Sequence, residues 1–88
     1  MNQITAPHFI DWFLDMLQQN NNERELFIEA INNPDQEHAR SVFIHGFHTQ
    51  WKFDAAGELN GSLIISNVPE LADKVIDAVR EKFVTAES

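Results

Sequence analysis

The sequence predicts an α+β fold: an N-terminal αα-hairpin, a linking segment, a β-hairpin that a third antiparallel strand would extend, and a C-terminal helix packed on the sheet. Three observations carry that prediction. The first and last thirds of the chain repeat their apolar residues at helical spacing. After Gly46 the pattern changes to simple alternation, which suits a half-buried strand. Asn, Pro and Gly fall between these stretches, where turns and caps need them. Eighty-eight residues make one domain, 1–88, with no room for a second core.

The first helix starts at Thr5 as N-cap, with Pro7 in the first turn, where its missing N–H leaves no hydrogen bond unmade. At about 100° per residue, Phe9, Ile10, Trp12, Phe13, Leu14, Met16 and Leu17 cover roughly 200°, twice what a surface helix needs. Either this helix packs on two neighbours, or its flank of Phe9, Trp12 and Met16 faces a partner. Asn22 is placed as the cap of a second helix, with Glu23 and Glu25 in its first turn and Leu26, Phe27, Ala30 and Ile31 facing the core. Asn32-Asn33-Pro34 stops it, and Asn33 caps a third segment that begins with Pro34. Ser41 to His45 fits the end of that helix or a strand of its own.

Phe47, Thr49, Trp51 and Phe53 then alternate with polar residues, as a strand does. Asp54-Ala55-Ala56-Gly57 has the residues of a turn with Gly57 at positive φ, and Glu58 to Ile65 follows as a second strand with a bulge at Asn60-Gly61. Asn67 and Glu70 form a capping pair for the last helix. Leu71, Ala72, Val75, Ile76, Val79 and Phe83 mark its apolar face, and Glu70–Lys74 and Asp77–Arg80 are favourable pairs on the other.

The charge is uneven. The net charge is −8, and the first forty residues hold seven carboxylates against Arg24 and Arg40. Asp11 and Asp15 stand four apart, as do Glu25 and Glu29, on predicted helices. Like charges at that spacing destabilise a helix by a few tenths of a kcal/mol, so folding alone does not select them. The acidity argues against nucleic acid and anionic membranes as direct partners, and favours a basic protein surface. There are no cysteines, which excludes disulfides and thiolate metal sites. No apolar run reaches the roughly 18 residues of a membrane span, and Met-Asn-Gln-Ile-Thr-Ala-Pro lacks a signal peptide's basic start, so a cytoplasmic protein is expected.

Chemistry is sparsely represented. His38, His45 and His48 would share a face if 35–48 were one helix and would then suit zinc, but the alternation after Gly46 separates His45 from His48. The paired carboxylates lie on polar helix faces, without the pocket that drives the pKa values of an acid–base pair apart. Ser41, Ser62, Ser66 and Ser88 have no neighbouring base motif. No enzyme and no cofactor are therefore expected.

The expectation is a small acidic protein-binding module with Asp11, Asp15, Glu25 and Glu29 as its contact charges and Phe9, Trp12 and Met16 as its apolar flank. In composition it is analogous to phage and mobile-element inhibitors that block host proteins, some by mimicking nucleic acid on a basic surface. The alternative is a homo-oligomer, a homodimer in the simplest case, joined through the wide apolar face of helix one. A histidine metal site is a distant third.

Overall fold

The computed structural model describes residues 2–84 and is mostly helical. Met1 and residues 85–88, which the domain expectation and Ser88 touch, lie outside the described residues. The elements are β1 (Asn2–Ile4), α1 (Ala6–Gln19), α2 (Asn21–Ile31), α3 (Gln36–Gly46), a π-helical turn (Phe47–Trp51), α4 (Lys52–Leu59), β2 (Gly61–Leu63), α5 (Val68–Val79) and a second π-helical turn (Arg80–Val84).

The expected β-hairpin is overturned. Residues 36–59 form one long helix, α3 running through the π turn into α4. The alternation of Phe47, Thr49, Trp51 and Phe53 is incidental, because Thr49 and Phe53 are exposed. The spacing that counts is four: Ala39, Phe43, Phe47, Trp51 and Ala55 are all buried. In an α-helix each four-residue step overshoots a full turn by about 40°, so such a row would wind off the core face. The wider π turn takes more residues per turn and returns the row to the same side. It also brings Trp51 over Gly46, where a Cβ would lie 2.7 Å from the indole ring. The Thr49 hydroxyl donates to the His45 carbonyl at 2.8 Å, a bond that bends helices and suits the widened turn. Ser41 to His45 is accordingly helix, and no third strand exists among the described residues.

Gly57 is helical and not at positive φ; the left-handed residue is Asn60, at φ 52°, which ends α4. Of the strand expected over Glu58 to Ile65, only Gly61–Leu63 remains, and it pairs with β1 in parallel. The register sets Asn2 against Gly61, Gln3 against Ser62 and Ile4 against Leu63.

The helix ends follow the polar residues closely. Asn20 ends α1 and begins α2: its N–H donates to the Met16 carbonyl (3.0 Å) and its side chain accepts from the Glu23 N–H (3.2 Å). One residue thus suffices for the link, and Asn20 displaces Asn22 as cap. Asp35, not Asn33, caps α3, while Asn33 accepts from the Asp35 N–H at 2.8 Å. Asn67 caps α5 as expected, accepting from the Glu70 N–H at 3.0 Å. Arg24 reaches the Gln18 carbonyl at the end of α1 and stands over the Phe83 ring, fastening the α1–α2 corner to the C-terminal turn.

All buried residues belong to one core, with Phe9, Phe13, Leu17, Phe43, Val75 and Val79 enclosed completely. Aromatic rings fill its centre; Phe13 meets Trp51 edge-on at 4.7 Å and Phe43 at 5.6 Å. The Trp51 indole N–H lies buried in this cluster without a partner among the described residues, which costs about 1–3 kcal/mol that the packing must offset. Helix α1 touches α2, α4 and α5, so Phe9, Phe13 and Leu17 of the wide apolar arc are buried inside the chain while Ile10, Trp12, Leu14 and Met16 are half-buried. Helix α5 packs on α3 and α1 and does not lie on a sheet.

Candidate functional site around Trp12

The same burial that fixes α1 leaves one edge of it open. Phe9, Phe13 and Leu17 are enclosed, Trp12 and Met16 are half-buried, and His8, Asp11 and Asp15 are exposed. Trp12 stands between α1 and α4, and its indole N–H donates to the Glu58 carboxylate across that seam. Three grooves meet at its ring. One, of about 700 Å³, runs past His8, Asp11, Leu14 and Asp15 toward Ile4, Leu59 and Lys82. A second runs from Asp15 and Glu58 to the asparagines at the α1–α2 corner. The third lies between α1 and α4, lined by Trp12, Met16, Phe53, Asp54, Gly57 and Glu58.

Carboxylates dominate this surface. Asp11, Asp15, Asp54 and Glu58 line the grooves, and among the described residues none of them forms an ion pair. Their partners are neutral: Gln19 donates to Asp15 at 3.2 Å and Trp12 to Glu58. Lys82 lines the first groove, and Lys52 rests over the Phe53 ring, its Nζ 5.0 Å from the centroid.

The structure gathers some of the sequence-expected residues and separates others. Asp11, Asp15, Trp12 and Met16 share this surface. Phe9 does not: it is fully enclosed, stacked on Phe13 and edge-on to Phe43 and Phe47, and cannot meet a partner. Glu25 and Glu29 are exposed on α2 and line none of the three grooves. Phe53, Asp54 and Glu58 also line this surface, where the hairpin expected over 47–65 does not place them. The sequence offers one faint signal for them: Asp54 and Glu58 stand four apart, as Asp11 and Asp15 do.

His38, His45 and His48 are all exposed, and no group of three metal-ligating side chains occurs among the described residues. No described helix is long and apolar enough to cross a membrane. Comparison with protein-family models, curated proteins and solved structures returns no match.

Proposed function

We propose that the chain is a small non-enzymatic module that binds a basic protein surface, of the kind that otherwise holds nucleic acid, through the acidic face around Trp12. The observation that carries this reading is the set of Asp11, Asp15, Asp54 and Glu58, gathered about a half-buried tryptophan with no cation paired to any of them among the described residues. Unpaired carboxylates beside one another repel, so a fold does not profit from them, whereas a basic partner meets a complementary field and is steered toward it. Trp12 supplies the large, rigid contact that charge alone lacks. Occupying such a surface would exclude nucleic acid from it.

The test is capture of proteins from a bacterial lysate on immobilised chain, at low and high salt and with duplex DNA as competitor. Asp11→Lys with Asp15→Lys should abolish capture, and both salt and DNA should release what the unaltered chain holds. Glu25→Lys with Glu29→Lys changes the net charge equally on another face and should weaken capture much less. Equal loss in both variants would make net charge alone responsible and remove the case for a face.

A further inference from the structure

We propose that the α1–α4 groove receives a basic amphipathic segment of the partner, with one apolar side chain seated on Trp12, Met16 and Phe53 and its Lys or Arg residues set against Asp54 and Glu58. This rests on the reading of the acidic face as a binding surface and adds the form of what binds there.

The groove holds about 390 Å³ and combines two features seldom left together on a surface. Its walls are apolar: Phe53 is 62% exposed on α4, facing the half-buried Trp12 and Met16 of α1. Its rim is acidic and, among the described residues, unpaired. At Gly57 the wall is bare backbone, and a Cβ added there would meet nothing within 4 Å. The groove is thus open where α4 carries no side chain. Trp12 is held in place by Glu58, so the largest contact is ordered before anything binds.

Charge decides the occupant. A second copy of the chain brings another net charge of −8 and is repelled. A purely basic surface would satisfy the rim and leave the aromatic walls in water. A segment with both cations and an apolar residue satisfies both. Lys52, resting on the Phe53 ring, shows that this ring already accepts a cation from its own chain.

The experiment uses two synthetic peptides of equal length and lysine content, one amphipathic Lys/Leu and one Lys/Ser, titrated by fluorescence anisotropy against the full chain. The Lys/Leu peptide should bind at least roughly tenfold more tightly. Gly57→Leu, whose Cβ enters open space and whose longer side chain fills the groove, and Phe53→Ser should each remove that advantage and leave Lys/Ser binding as it was. Melting curves of both variants confirm that they fold. Equal binding of the two peptides, or an advantage that survives either substitution, overturns the groove while leaving the acidic face intact as a binding surface. Failure of both peptides to bind removes the groove and the acidic face together. Self-association of the unaltered chain that Gly57→Leu abolishes would give the groove to a second copy and also overturn the proposal.

Discussion

Two grooves of nearly equal size flank the long helix, about 390 Å³ between α1 and α4 and about 350 Å³ between α3 and α5, and their charges are arranged in opposite ways. In the α3–α5 groove each carboxylate has a cation. Arg40 forks onto Asp73 (3.0 Å) and also reaches Glu37 (3.1 Å), and Arg80 stands 4.0 Å from Asp77. Lys74 joins Glu70 further along α5 at 3.3 Å. In the α1–α4 groove Asp54 and Glu58 have none among the described residues. The chain has six cations in all. Three serve α5 and its neighbour α3, and Arg24 serves the α1–α2 corner, so only Lys52 and Lys82 remain near the acidic side. The difference shows that the distribution of cations, more than the total charge, sets this surface apart.

The sharpest way to break the comparison uses the two glycines of the long helix, one on each side of its π turn. Gly46→Ala forces a Cβ into the buried Trp51 ring and should destabilise by about 1–3 kcal/mol in denaturant melts. Gly57→Ala enters open space at a helical position and should stabilise by about 0.5–1 kcal/mol. A destabilising Gly57→Ala would mean that 52–59 is not helical, and the α1–α4 groove would be lost with it. Next in size is Arg40→Ala, which removes the cation of two ion pairs. It should cost about 1 kcal/mol, the usual scale of partly exposed pairs, and the loss should shrink as salt is added. No effect would leave the α3–α5 side no better paired than the other. The smallest effect is on the acidic side. Asp11→Asn should raise stability by a few tenths of a kcal/mol by removing repulsion from Asp15. A loss there comparable to that of Arg40→Ala would show that Asp11 has a favourable partner in the fold.

The helices and their caps were largely legible. Asn67 caps α5 through a hydrogen bond three residues away, and Thr5 precedes α1 without a side-chain cap bond. The caps of α2 and α3 fall on Asn20 and Asp35, two residues from the expected Asn22 and Asn33, because several capping residues stand side by side there. The apolar face of α5 and its two ion pairs were equally plain. The long helix was not. Phe47, Thr49, Trp51 and Phe53 satisfy a strand's alternation, while the buried row through Phe43, Phe47, Trp51 and Ala55 needs a π turn to remain on one side, and the 3.6-residue template does not contain one. Strand β1 gave no signal at all, since three residues of mixed character become a strand only when β2 arrives beside them. Half the candidate site went with the hairpin: Asp11, Asp15, Trp12 and Met16 were readable from α1 alone, whereas Phe53, Asp54 and Glu58 join them only through the packing of α4 on α1.

The pairing of Ile4 with Leu63 has a consequence for the order of folding. These residues stand 59 positions apart, and every helix except α5 lies between them. Helical turns close within a few residues and form early, but a contact at this separation must wait until the intervening rods have assembled and shortened the search. On a ribosome, residues 2–4 emerge well before 61–63 and yet can settle only after 61–63 has cleared the exit. The three-residue ladder is therefore the last part of the fold to close. It should also be the first to open, so that in hydrogen exchange the amides of β1 and β2 lose protection well before those of α1 and α5.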